Sequence, residues 1–345
     1  MSFYAQNGDN ICCIFLSGRV ICLRGSYDVV VNSRRLQYKF TIRRNVTVIR
    51  GQSATGKTTL IDMISDFNEN GIDSGVTISC ATDCVVLHGR NWQRDISALE
   101  NSIVFIDEGH NFVLSQDFAK AIRNSSNYYV IVTRERLENI PYSVDEIYGI
   151  KNSGKYGRLK SSYHEFFRLY ENIPFRKNVS VEKIITEDSN SGYQFFDGIA
   201  KDRNLLCQAV AGKSNISVAL INCLEPVLVV ADGAAFGPEM ERITELMKIR
   251  DDIFLYLPES FEWLILQSGL ITKEDLSEML ARPYDYIDSE RYFSWEQFFT
   301  AVLQETTKGT VYQYTKSKLN PVYLHDNNKM RILMAMKPLT ERLGW

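Results

Sequence analysis

A chain of 345 residues, 45% apolar and 23% charged, has the composition of a folded protein with two domains or one large one. That excludes a disordered chain, a collagen-like repeat and a small disulfide-stapled scaffold. The net charge of −3 argues against wholesale electrostatic attachment to nucleic acid.

In chain order, Ile11 to Arg50 reads as short strands broken by turns: ICCIF, VICL, DVVV, LQYKFTI and VTVIR. A glycine-bearing loop follows, then an apolar-periodic segment from Thr58 to Phe67 that suits a helix. Strand-like runs recur at VTISC, CVVLH, SIVFID and YYVIVT, with helical patterns near Trp92–Leu99 and Gln116–Ile122. Such alternation predicts a mostly parallel sheet covered on both faces. KNSGKYGRLK, after Ile150, reads as a hairpin or linker, and Ser161 to Asn172 as a helix closed by Pro174. A second alternation starts at Val181, with strand-like runs VEKIIT, LLCQAVA, VALINC, VLVVA and IFLYL. Helices are expected there through Gln194–Asp202 and Pro238–Arg250. From Phe261 the chain reads as helical and aromatic-rich.

No apolar run approaches the roughly 18–20 residues of a membrane-spanning helix, so no membrane is expected as a partner. The opening MSFYAQNGDNIC lacks the basic start and apolar centre of a signal peptide. The seven cysteines include no C-x-x-C pair. Cys12–Cys13 are adjacent, and Cys80 and Cys84 are separated by three residues. Reduced thiols in a cytoplasmic protein are the expectation.

GQSATGKTT carries the spacing G-x-x-x-x-G-K-[ST] between an expected strand and an expected helix. Gly51, Gln52, Ser53, Ala54, Thr55, Gly56, Lys57, Thr58 and Thr59 would cradle the phosphates of ATP. Glycines let backbone N–H groups wrap an anion, and the helix start adds its positive dipole end. Lys57 would reach the β and γ phosphates, and Thr58 would ligate Mg²⁺. SIVFIDE brings Asp107 and Glu108 to a strand end, Asp107 for magnesium and Glu108 to polarise the attacking water. YYVIVT ends in Thr133-Arg134, where Arg134 could sense the γ-phosphate or be a plain surface arginine.

GQSATGKTT with SIVFIDE resembles the P-loop NTPases, and Glu108 after Asp107 is similar to their ATP-hydrolysing branch. The strands before the loop resemble the ATP-binding-cassette arrangement, which implies an aromatic stacked on adenine near Tyr27. No LSGGQ-type signature is present, and VIVTRE is instead similar to the strand-plus-arginine sensor of AAA-like ATPases. Arg134 is the one arginine in the first half read as a finger. ATP is therefore expected to promote a homo-oligomer with an arginine supplied in trans.

In the second half, VEKIITED brings Glu187 and Asp188 to a strand end, and VLVVADGAAFG brings Asp232 to another. Carboxylates on neighbouring strand ends can hold one Mg²⁺ against a phosphodiester. The order strand-Glu, strand-Gly (AVAGKSN), strand-Asp resembles the Toprim domain found in overcoming-lysogenization-defect nucleases. Where that family carries a second aspartate this chain has Ala234, and Glu239, Glu241 or Asp188 would have to compensate. Beyond Thr306 seven basic residues face only Asp326 and Glu341, a solvated surface or a patch able to contact DNA. Tyr312, Tyr314, Lys316 and Lys318 come closest to a base-stacking platform.

These readings sum to an α/β fold. A P-loop ATPase domain (1–175), with a mostly parallel sheet and N-terminal antiparallel strands, precedes a smaller αβ Toprim-like domain (176–262). A helical extension with a basic tail (263–345) follows. The expected function is ATP hydrolysis coupled to a metal-dependent nuclease; the alternative is an ATPase switch that regulates a protein partner through an inactive second site.

Overall fold

The computed structural model describes residues 23–51, 55–153, 162–171, 180–337 and 339–345. The ICCIF run, and VICL up to Cys22, lie outside them. Nine strands form one mixed, mostly parallel sheet. They are β1 (Tyr27–Asn32), β2 (Leu36–Ile42), β3 (Val46–Ile49), β4 (Thr77–Ser79), β5 (Cys84–Val86), β6 (Ile103–Ile106), β7 (Tyr128–Val132), β8 (Ile147–Ser153) and β9 (Ser162–Arg168). Their spatial order is β4-β1-β2-β9-β8-β3-β7-β6-β5. The run from β8 through β3, β7 and β6 to β5 is parallel, while β1 pairs antiparallel with β2 and β4. Helices α1 (Lys57–Asn70), α2 (Trp92–Ser97) and α3 (Gln116–Arg123) connect these strands.

Four parallel strands make the second sheet: β10 (Lys183–Thr186), β11 (Leu206–Ala209), β12 (Val227–Val230) and β13 (Ile253–Tyr256), in the order β11-β10-β12-β13. Around it lie α4 (Ser191–Asp202), α5 (Ile216–Ile221), α6 (Met240–Ile249), α7 (Phe261–Gln267), α8 (Leu276–Ala281), α9 (Trp295–Thr307), α10 (Asp326–Ala335) and α11 (Leu339–Leu343). Among the described residues no helix is long and apolar enough to cross a membrane.

Continuous apolar strands arise here because both faces of each sheet are buried. Along β6, Ile103 and Phe105 pack on the α1 side while Val104 and Ile106 face the other way. In β12, Val227 and Val229 join that same middle layer, while Leu228 and Val230 pack against α4 and α7. The middle layer thus mixes residues from both halves of the chain, and the 175/176 boundary falls within residues 172–179, outside the described ones.

Two segments differ from expectation. Ser162–Arg168 is a strand, paired antiparallel with β8 and parallel with β2. Its aromatic residues mimic a helical face, but hydrogen bonding to two neighbours decides the conformation. The β8–β9 pairing agrees with a hairpin, whose tip lies outside the described residues. VALINC contributes to α5 rather than to a strand. The strands β11 and β12 both run parallel to β10, and parallel strands need a crossover between them.

Candidate functional sites

The loop after β3 leads directly into α1, whose first turn carries no acidic side chain. Gly51 and Gly56 have φ of 141° and 90°, a region that favours glycine. A Cβ on Gly56 would stand 2.7 Å from the Tyr38 hydroxyl. That hydroxyl donates to the Gly56 carbonyl (2.9 Å), and the Tyr38 ring stacks on His164 at 4.6 Å. Lys57 is buried, with Nζ 2.9 Å from the Gly51 carbonyl and 3.2 Å from Thr55 Oγ1. Burial lowers its pKa, against the opposing pull of Glu108 and Asp107. Thr58 and Thr59 are exposed on the first turn. Gln52, Ser53 and Ala54 lie outside the described residues.

Asp107 and Glu108 follow β6, and Thr133 and Arg134 follow β7, which lies between β6 and β3. All four therefore reach the edge of the sheet where the glycine loop begins. Arg134 Nε is 2.8 Å from Glu108 Oε1, and the Glu108 N–H donates to Asp107 Oδ1 at 2.8 Å. In this arrangement Arg134 engages the glutamate expected to orient water. The Thr58 hydroxyl and the Asp107 carboxylate are oxygen donors of the hard kind that magnesium prefers.

Tyr27 is not brought to the loop. It packs edge-on against Tyr128 at 5.8 Å and donates to the Arg24 carbonyl. Tyr128 opens β7, whereas the loop starts beyond Ile49, the partner of Val132 at the other end. Five residues of strand put these edges about 13 Å apart. Because β2 runs opposite to β3, the aromatic that does reach the loop is Tyr38, which sequence spacing missed.

At the second site β10 and β12 are neighbours in register, so Glu187 and Asp232 emerge side by side. The Asp232 N–H donates to Glu187 Oε2 at 3.3 Å. Both line a cavity of about 30 Å³ together with Asp188, enough for one or two water-sized species. A Cβ on Gly233 would stand 2.6 Å from the Leu257 carbonyl oxygen, so this turn is glycine because the chain after β13 runs against it. Burial pushes Glu187 up to about 7. Asp232 is raised too, by burial first and then by Glu296, Glu187 and Glu262. Asp188 is raised by burial, and its Oδ1 accepts the Tyr193 N–H at 3.3 Å.

Two cations enter this cluster. Lys213 donates to the Ala235 carbonyl (2.8 Å); burial lowers its pKa while Glu187, Glu239 and Glu296 hold its charge. Lys316 pairs with Glu296; burial opposes its charge, but Glu296, Glu262 and Asp232 outweigh burial and raise its pKa. Glu262 is buried and accepts from the Tyr314 hydroxyl at 2.8 Å. Glu239 pairs with Arg136 at 3.2 Å, and Glu241 with Arg50 at 2.9 Å. Among the described residues no group of three or more His, Cys, Asp or Glu side chains is arranged to hold a metal ion. Carboxylate oxygens are donors of the hard kind that divalent cations prefer, and here Lys213 and Lys316 supply positive charge to them.

Sequence spacing had pointed to Glu187, Asp188 and Asp232 but not to Lys213, Glu262 or Glu296. AVAGKSN held the only local signal, a lysine just past a strand and a glycine. The base-stacking platform is not formed as expected. Tyr314 is buried, Lys316 faces the acids, and the basic tail's Lys329 and Lys337 pair with Asp202 and Glu341. No protein-family model and no curated protein sequence matches the chain.

Proposed function

We propose that this protein binds and hydrolyses ATP at the loop from Gly51 to Thr59, as a P-loop ATPase. The observation that carries the reading is the convergence, at one sheet edge, of the buried Lys57, the uncapped start of α1, Asp107, Glu108 and Arg134. Backbone N–H groups of the first helical turn would bind the phosphates and Lys57 would neutralise them. Mg²⁺, held by Thr58 and Asp107, would supply further charge neutralisation when bound. For Glu108 to orient water, its pair with Arg134 opens, and Arg134 turns to phosphate charge. An arginine from a neighbouring copy would complete the site in an ATP-promoted homo-oligomer. Lys57→Ala is expected to weaken ATP binding. Glu108→Gln should keep binding but lower turnover by about 100-fold or more. Unchanged turnover in Glu108→Gln would remove that residue from the mechanism.

The second sheet is proposed as a Toprim-like domain acting on DNA, with Glu187, Asp188 and Asp232 as the metal-binding acids. One observation favours a second reading. Lys213 and Lys316 already contribute positive charge to the acidic cluster, which suits a catalytically silent domain in an ATPase that controls a protein partner. Incubating DNA with the purified protein and Mg²⁺ or Mn²⁺ separates the two. Cleavage supports the nuclease, and intact DNA supports the switch.

A further inference from the structure

Two arginines join the loops of the first site to the start of α6. Arg50, the residue before Gly51, is buried. Its Nη1 donates to Glu241 Oε2 at 2.9 Å, and its Nη2 to the Glu135 carbonyl at 3.1 Å and the Tyr142 hydroxyl at 3.4 Å. Arg136, two residues beyond Arg134, donates through Nε to the Pro238 carbonyl and through Nη2 to Glu239 Oε2, both at 3.2 Å. Pro238, Glu239 and Glu241 all belong to the turn that leads into α6 and to its first residues. That turn is pressed on the first half of the chain. The Gly237 N–H donates to the Tyr142 carbonyl at 2.9 Å, and a Cβ on Gly237 would stand 2.3 Å from Tyr142 Cδ2.

We propose that Glu239 and Glu241, from the second half of the chain, are positioning residues for ATP hydrolysis: through Arg136 and Arg50 they hold the turn that carries Arg134. The inference rests on the reading of residues 51–59 as an ATP site. Burial along β7 ends with Thr133, and Arg134 and Glu135 are exposed beside a cavity of about 480 Å³. Apolar packing resumes at Leu137. Across residues 134–136 polar contacts therefore do what packing does elsewhere. The Glu135 N–H donates to Thr133 Oγ1 at 2.9 Å, Arg50 holds the Glu135 carbonyl, and Glu239 holds Arg136.

The two ties differ in strength. Glu239 is 2% exposed, so salt and water screen its pair with Arg136 little. The Glu241 side chain is half-exposed, and its pair with Arg50 is the weaker one. Releasing either tie lets the turn relax toward the cavity. Arg134 then leaves the place where it meets Glu108 at 2.8 Å and from which it would turn to phosphate charge. Phosphate binding falls to Lys57 and the glycine loop after β3, a different strand. Misplacing Arg134 therefore lowers kcat more than it changes KM.

The test is steady-state hydrolysis of ATP with Mg²⁺ by the full-length protein, each variant held well below its unfolding midpoint. Glu239→Ala and Arg136→Ala should each lower kcat by about 10- to 100-fold, with KM within about threefold of the wild type. The double variant should fall no further than either single one. Glu239→Gln keeps an oxygen acceptor for Arg136 and should recover most of the turnover. Glu241→Ala, at the half-exposed position, should lower kcat by a smaller factor, and it decides the question if Glu239→Ala fails to fold. In an Arg134→Ala background neither Glu239→Ala nor Glu241→Ala should cost further turnover, whereas a general structural defect would lower it again. A wild-type protein that hydrolyses no ATP would overturn the reading of the ATP site, and this inference with it. Wild-type hydrolysis with kcat unchanged in Glu239→Ala and Glu241→Ala would overturn this inference alone, as would an equal loss with and without Arg134.

Discussion

Arg44, in the turn between β2 and β3, is the most consequential buried charge joining the two halves. Its guanidinium is bidentate to Glu259, at 2.9 and 2.5 Å, and lies 3.4 Å above the Trp295 ring. Its Nε is 3.7 Å from Glu146, whose other oxygen accepts the Thr47 hydroxyl at 3.0 Å. Arg44→Met keeps the apolar stem over Trp295 but strands two carboxylates. Removing one partner of a buried pair costs about 3–5 kcal/mol. The cost should depend on pH, with a definite sign. Burial raises Glu146 from 4.5 to about 7 even with Arg44 beside it. A raised carboxyl pKa favours folding fully below the unfolded value, and that contribution is lost as pH rises through the folded value. In the wild type this amounts to roughly 3 kcal/mol lost between those limits. Without Arg44 the carboxyl rises further and the window extends upward. Denaturant unfolding of Arg44→Met should therefore show a cost of about 4 kcal/mol at pH 8. Near pH 5, where Glu146 is protonated in both proteins, the cost should be markedly smaller. A cost under about 1 kcal/mol at pH 8, or equal costs at both pH values, would refute the reasoning.

Further outcomes follow from the two sites. Gly56→Ala puts a Cβ at φ 90° and 2.7 Å from the Tyr38 hydroxyl. It should cost about 1–3 kcal/mol and weaken ATP binding in a titration. Adding Tyr38→Phe should recover only the part due to the clash. Asp232→Asn removes a charge crowded by burial and by Glu296, Glu187 and Glu262. Because the raised pKa withdraws stability as pH rises, this variant should gain midpoint stability at pH 8 relative to pH 5. Glu187→Ala and Asp232→Ala should each abolish metal-dependent DNA cleavage, if present, while ATP hydrolysis remains largely intact; parallel assays on one preparation check both.

The strands and the glycine loop were legible in the residues themselves. VTVIR, SIVFID, YYVIVT and VLVVA are unbroken apolar runs because both faces of their sheets are covered, and such burial leaves its mark on every residue of a strand. The G-x-x-x-x-G-K-T spacing is equally local, since one loop and one helix start supply its geometry. Glu187 and Asp232 were legible for the same reason, as acids closing two such runs. What surrounds them was not. Lys213, Glu262, Glu296 and Lys316 reach one cluster from four separate segments, and no spacing along the chain encodes that meeting. Tyr38 reaches the loop, and Tyr27 does not, because β2 runs opposite to β3. Ser162–Arg168 became a strand because β2 and β8 offer it hydrogen bonds on both sides. Local chemistry sets what each segment can be; strand direction and neighbour pairing decide which residues meet, and those depend on contacts far apart in the chain.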